Sequence, residues 1–119
     1  MPSAAKAAAH RRVCPCCDRY YGYLVKVESR MILVKEAIHH IFGRRFLDEH
    51  YPDIDVNRPD NLISVCNLCH GAIKVVEDAL YRGDVFGFLN GLRILHFPME
   101  RVFAMARVLG MKEFERWNL

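Results

Sequence analysis

Four cysteines in two Cys-x-x-Cys pairs place the strongest restriction on how this chain of 119 residues can fold. The pairs are Cys14 with Cys17 and Cys66 with Cys69, and 49 positions separate Cys17 from Cys66. Each spacing lets one tight turn direct two thiolates at the same ion, and two such turns complete a tetrahedron. The sequence therefore predicts one structural Zn²⁺ that joins two distant segments of the chain.

Other uses of the cysteines stay open at this point. They could be reduced, buried thiols, and the segment Cys14–Cys17 is similar to a redox-active pair, although no βαβ pattern follows it. The segment Cys66–His70 also matches the haem-attachment pattern. Haem attachment would require export, and the first residues lack the apolar run of a signal peptide. Cys16, the fifth cysteine, could exchange with Cys17 but is predicted to be an incidental thiol.

Composition and charge indicate an ordinary globular chain. Hydrophobic residues make up 52% and charged residues 26% of the sequence, which argues against a disordered chain. The net charge is +3, yet residues 1–45 carry nine Lys/Arg against three Asp/Glu. This basic third suits a polyanionic partner, and ordinary solvated surface charge explains it equally well. No apolar run reaches the roughly 18 residues of a membrane span, so we expect a cytoplasmic protein without membrane association.

Hydrophobic periodicity predicts an α+β fold. Strand-forming residues are concentrated in three segments, at 20–27, 31–38 and 61–65. Helical patterns occupy four segments, at 44–50, 68–82, 85–95 and 99–109. Gly83 and Gly110 are expected to end two of the helices, and Asp84 to cap the one between them.

The histidines predict a second metal site. His39 and His40 lie at the end of the second predicted strand, Asn61 follows 21 residues after His40, and His70 follows nine residues after Asn61. Imidazoles that leave coordination positions open suit a working metal, whereas four thiolates close a structural one. This pattern resembles the HNH endonucleases over about half of the chain, residues 14–75.

The resemblance implies a ββα-metal finger, also called a His-Me finger, together with a four-cysteine zinc site. It implies that His40 is the general base and that His39 and His70 bind a catalytic divalent cation. Mg²⁺ or Mn²⁺ is favoured, with Zn²⁺ or Ni²⁺ as alternatives. Asn61 matches the residue that fixes the loop and helps to orient the base. The implied reaction is phosphodiester hydrolysis in DNA, by an endonuclease or nickase that leaves 5′-phosphate and 3′-hydroxyl ends.

Three basic residues are candidates for phosphate contact. Lys74 lies one helical turn after His70, where other members have a third ligand, but a charged ammonium is a poor ligand and is assigned to phosphate. Arg44 and Arg45 lie in the segment that lengthens the gap between His40 and Asn61. They could position DNA by its phosphates or simply cover the surface.

The predicted organisation is a flexible basic tail at 1–12, an HNH domain at 13–83 and a helical extension at 84–119. The extension could pack on the finger, join two subunits or contact DNA. Expected partners are DNA and, as possibilities, a second copy of the chain or phage packaging proteins in a prokaryotic host cell. The main alternatives are a non-catalytic, zinc-stabilised nucleic-acid-binding module and a structural subunit whose partner supplies the chemistry.

Overall fold

The structure, a computed structural model, describes residues 8–117 and has the predicted α+β class. Its strands and helices are β1 (Leu24–Val27), β2 (Arg30–Leu33), β3 (Glu36–His40), α1 (Arg44–His50), β4 (Leu62–Cys66), α2 (Asn67–Tyr81), α3 (Val85–Ile94) and α4 (Met99–Leu109). Two 3₁₀ turns, at Pro59–Asn61 and Lys112–Trp117, complete the described elements.

The strands form two small antiparallel sheets, β1 with β2 and β3 with β4. The prediction of one continuous strand over 31–38 is therefore wrong. The side chain of Asn67 explains the division, because it accepts from the Lys35 backbone N–H at 2.9 Å and donates to the Leu33 carbonyl at 3.1 Å. These bonds satisfy backbone groups where the chain leaves one sheet for the other.

The strands β3 and β4 together with α2 hold the three predicted site histidines, Lys74 and the second cysteine pair. His39 pairs with Ile63 and His40 with Leu62 across the two strands. All five residues of β4 are buried, and α2 begins directly after its last residue, Cys66. Because β4 ends on the first cysteine of a Cys-x-x-Cys pair and continues directly into α2, the start of that helix is fixed relative to the sheet.

The helices beyond residue 83 share a core with the segment that follows β3. The rings of Phe42, Phe88 and Phe114 are fully buried, with centroids 5.8–6.3 Å apart. Helix α3 lies close to α2 because Gly91 has no side chain: a Cβ there would stand 2.6 Å from Val76 Cγ1. Asp84 caps α3 by accepting from the Gly87 N–H at 2.9 Å, as predicted.

The predicted flexible tail covers residues 1–12, of which residues 1–7 lie outside the described residues. The side chain of His10 contacts Glu36 in β3, and the backbone N–H of Arg11 donates to the same carboxylate at 2.7 Å. Residues 10 and 11 are thus attached to β3. Among the described residues, no helix combines the length and apolar character required to cross a membrane.

Candidate functional site

The four paired cysteines converge as predicted. The sulfurs of Cys14, Cys17, Cys66 and Cys69 all lie within 4.8 Å of one another, and Cys17 Sγ is 3.6 Å from Cys66 Sγ. Bonds of about 2.3 Å to a tetrahedral zinc place its sulfurs roughly 3.8 Å apart. All five cysteines of the chain are free thiols. The cluster can therefore hold a structural metal ion such as Zn²⁺.

Local hydrogen bonds form the two turns of the cluster. In the first turn, the Cys14 carbonyl accepts from the Asp18 N–H at 2.8 Å, and Asp18 has a φ of 62°. In the second, Cys66 is the N-cap of α2, and its sulfur accepts from the Cys69 N–H at 3.4 Å. The first turn thus comes from the N-terminal segment, and the second from the junction of β4 and α2.

Two neighbours adjust the charge of the cluster. A hydrogen bond from the buried Cys16 thiol lowers the pKa of Cys14 to about 4, and the same bond strongly raises the pKa of Cys16. Cys16 therefore stays a protonated donor outside the metal-binding set. A hydrogen bond to Cys17 raises the pKa of Arg19, so a charged guanidinium lies beside the Cys17 sulfur. Both contacts favour ionised sulfurs, whereas burial raises the pKa of Cys66 and Cys69, so a bound zinc would have to displace the protons of these two thiols.

A second site lies at the far end of β3. A cleft of about 340 Å³ opens between the end of β3, the start of α1 and one face of α2. It brings together all but one of the predicted site residues outside the cysteine cluster. Its polar lining consists of His39, His40, Arg44, Arg45, His70, Lys74, Glu77 and Tyr81.

His39 and His70 face each other in this cleft. Their ring centroids are 5.2 Å apart at an interplanar angle of 73°, and the His39 residue is only 4% exposed. Burial, with the charges of His70, His40 and Lys74, lowers the pKa of His39 to about 3. Burial also lowers the pKa of His70. Both rings are therefore neutral near pH 7, the form in which imidazole binds a metal.

Glu77 also lines this cleft, and it was not predicted from the sequence. Its Oε1 lies 3.2 Å from His39 Nε2, and burial raises the pKa of its carboxyl to about 7. Because the pKa of His39 is so low, the contact is a hydrogen bond with a neutral ring rather than a full ion pair. His70, Lys74 and Glu77 are spaced four and three residues apart. This spacing predicts that all three lie on one face of the helix.

His40 also lines the cleft, and a second unpredicted residue positions it. His40 Nε2 lies 2.9 Å from Asn57 Oδ1, a contact between residues 17 positions apart. Asn57 is itself fixed, because its backbone N–H donates to Asp55 Oδ1 at 2.9 Å. Because the Asn57 amide oxygen can only accept, Nε2 is the donor in this contact, which leaves Nδ1 as the proton-accepting nitrogen of a neutral ring.

Asn61 does not line the cleft but closes the loop that forms its rim. Its side chain is fully buried and donates to the carbonyls of Phe42 at 3.0 Å and Val56 at 2.9 Å. Its Oδ1 accepts from the Phe42 N–H at 2.9 Å. Asn61 therefore ties together the two ends of the segment 42–56, which contains α1 and leads directly into Asn57.

We expect Asn61→Ala to lower the free energy of unfolding by about 2–4 kcal/mol, because it leaves buried backbone groups of Phe42 and Val56 without partners. Urea unfolding followed by circular dichroism measures this change. Asn57→Ala is the matched control: Asn57 is half-buried, and its loss should cost less than about 1 kcal/mol. Equal unfolding midpoints for the two variants would contradict the role given to Asn61.

The three predicted phosphate-binding residues stand at the rim. Arg44, Arg45 and Lys74 are all exposed and line the cleft. The Arg45 guanidinium lies 5.2 Å from the centroid of the Tyr81 ring, and its Nε is 3.3 Å from Glu49 Oε1. Three positive charges around one opening attract an anionic ligand. Comparison of the chain with protein-family models, curated proteins and solved structures finds no match.

Proposed function

We propose that this protein is a metal-dependent DNA endonuclease or nickase of the HNH type. The observation that carries the proposal is that His39, His40 and His70 line one cleft, although they belong to a strand and a helix. A strand pair that carries two histidines and a helix that carries a third suit the ββα-metal finger implied by the sequence. A zinc-binding module without catalytic function would require none of this arrangement.

In the proposed reaction, His40 is the general base. The Nδ1 lone pair takes a proton from water, whose oxygen forms a bond to phosphorus as the bond from phosphorus to the 3′-oxygen breaks. The departing oxygen then takes a proton from solvent, which leaves 5′-phosphate and 3′-hydroxyl ends. Asn57 keeps the His40 ring in the required tautomer by its contact with Nε2.

The neutral rings of His39 and His70 fit a divalent cation. A bound cation would supply Lewis acidity toward the phosphoryl oxygen and the departing 3′-oxygen. Lys74, Arg44 and Arg45 would bind the flanking phosphates, which positions DNA without reading its sequence. The cysteine cluster has a separate, structural role, because four thiolates leave zinc no open position.

Supercoiled plasmid DNA tests the proposal. The zinc-loaded protein, purified with about one zinc per chain, should convert the plasmid to open-circular or linear DNA with Mg²⁺, Mn²⁺, Zn²⁺ or Ni²⁺. Omission of the added cation should stop the conversion. The products should carry 5′-phosphates that ligase can join. Intact plasmid with every cation would contradict the proposal, provided that the same preparation is folded and holds its zinc.

A further inference from the structure

We propose that Glu77 is the third protein ligand of the catalytic cation, beside His39 and His70. This inference rests on the proposed function, since it concerns the cation of the same cleft. Lys74 occupies the position that the resemblance assigns to a third ligand, and its ammonium cannot donate an electron pair while charged. The carboxylate needed in its place is found one turn further along α2.

The position of Glu77 on α2 suits this role. Residues seven apart on a helix differ by almost two full turns and share a face, so Glu77 lies on the same face as His70. The Glu77 side chain is 15% exposed, and it lines the cleft together with His39 and His70. Burial of a carboxylate is costly, and a cation bound beside the two imidazoles would offset that cost.

The distance between Glu77 and His39 is that of neighbouring ligands on one ion. Two ligand atoms on bonds of about 2.1 Å are roughly 3.0 Å apart at 90° and roughly 3.4 Å apart at the tetrahedral angle. Glu77 Oε1 and His39 Nε2 are 3.2 Å apart. A cation could thus bind both atoms with little movement of either side chain. The His70 ring would have to turn toward them to complete the set, because among the described residues only the cysteine cluster has three or more ligand atoms within 4.8 Å of one another.

The charge of the cleft also favours such a carboxylate. Among the described residues that line it, Glu77 is the only acid, whereas Arg44, Arg45 and Lys74 are positively charged. A divalent cation bound only by neutral imidazoles would be repelled by these three groups. Two imidazoles with one carboxylate favour Mn²⁺, Ni²⁺ or Zn²⁺, whereas Mg²⁺ prefers oxygen ligands and retained water. The inferred ligand set therefore disfavours Mg²⁺ relative to these three ions.

Binding of Mn²⁺ to the zinc-loaded full chain tests the inference without DNA. Mn²⁺ prefers carboxylate, carbonyl and water ligands to thiolates, so it leaves the cysteine cluster occupied by zinc. The electron paramagnetic resonance signal of free Mn²⁺ gives the bound fraction. We expect Glu77→Gln to weaken Mn²⁺ binding by more than about 100-fold, beyond the 10–100-fold typical of a residue that only orients a ligand.

Asp78→Asn is the matched control, because it removes the same charge from the exposed neighbouring position on α2. We expect it to change the Mn²⁺ affinity by less than about threefold, since its charge lies outside the cleft and is screened by solvent. A crystal structure with Mn²⁺ should show a Glu77 oxygen about 2.1–2.2 Å from the ion. Equal affinity of the two variants, no Mn²⁺ bound to the wild type, or a Glu77 carboxylate outside the coordination sphere would each overturn the inference.

Failure of the inference can be told apart from failure of the proposed function. Loss of Mn²⁺ binding in Glu77→Gln would support the ligand even if the wild type left plasmid DNA intact. Plasmid cleavage by the wild type together with undiminished Mn²⁺ binding by Glu77→Gln would reject the Glu77 ligand alone.

Discussion

His40→Ala should lower the rate of plasmid cleavage by about 10²–10⁴-fold, the contribution typical of a positioned general base. The ring is half-buried at the edge of the cleft, and its hydrogen bond is to Asn57 in the loop rather than to the core. We therefore expect the thermal unfolding temperature to stay within a few degrees of that of the wild type. Single-turnover cleavage of supercoiled plasmid with Mn²⁺ measures the effect.

His50→Ala is the control for His40→Ala. His50 ends α1 and its side chain is 56% exposed, so its removal should leave cleavage unchanged. Asn57→Ala should have an intermediate effect, because the base remains but loses the partner that fixes its tautomer and orientation. Undiminished cleavage by His40→Ala would remove His40 from its proposed role, and equal losses in His40→Ala and His50→Ala would indicate a general effect of histidine replacement.

The cysteine cluster could be predicted from the sequence because its geometry is local. Each Cys-x-x-Cys turn places two sulfurs together regardless of the rest of the fold, so only the meeting of Cys17 with Cys66 depended on the tertiary structure. Cys16 was predicted to be incidental, and it lies outside the metal-binding set although buried. The sequence did not predict that its thiol would donate to Cys14.

The strand pattern was predicted less well, for a physical reason. Residues 31–38 were predicted as one strand from the strand formers at Ile32, Val34 and Ile38. The weak strand formers from Lys35 to Ala37 do not by themselves indicate that the chain changes sheets there. The change depends on Asn67, whose side chain bonds to backbone groups on both sides of that point. Because Lys35 and Asn67 are 32 positions apart, the sequence around Lys35 does not indicate this contact. Propensity therefore gave the strand conformation but could not give the pairing.

Asn57 and Glu77 were missed for different reasons. Asn57 lies in a polar loop whose course is set by the bonds of Asn61, so no periodicity placed it near His40. Glu77 could have been found, because it shares a helix face with His70. The apolar periodicity of α2 identifies only the buried face of the helix and gives no signal for its polar face, where Glu77 lies. The convergence of His39, His40 and His70 on one cleft agrees with their order in the sequence, and their catalytic roles stay predictions.

Cys69→Ser should have the largest effect on stability. Loss of one thiolate opens the tetrahedron, and a structural zinc site contributes its binding free energy directly to folding, about 10–16 kcal/mol in small zinc-finger peptides. We expect the variant to lose its zinc and more than about 4 kcal/mol of unfolding free energy. Inductively coupled plasma mass spectrometry of the purified protein measures the zinc content per chain, and urea unfolding measures the free energy of unfolding. Excess chelator should lower the stability of the wild type in the same way.

Cys16→Ser separates loss of the metal from loss of a buried sulfur. Cys16 is 7% exposed, and a serine there could still donate to Cys14, so this variant should keep one zinc per chain and most of the stability. Wild-type zinc content and stability in Cys69→Ser would contradict a four-thiolate site.

The loss of zinc should also change the position of His70 in the cleft. Cys69 is directly followed by His70, and Cys66 joins β4 to α2. With the first turn of α2 released, the His70 ring would no longer be held 5.2 Å from that of His39. Mn²⁺ binding should therefore weaken in Cys69→Ser and persist in Cys16→Ser. Undiminished Mn²⁺ binding by zinc-free Cys69→Ser would mean that the cleft is held by the apolar core alone.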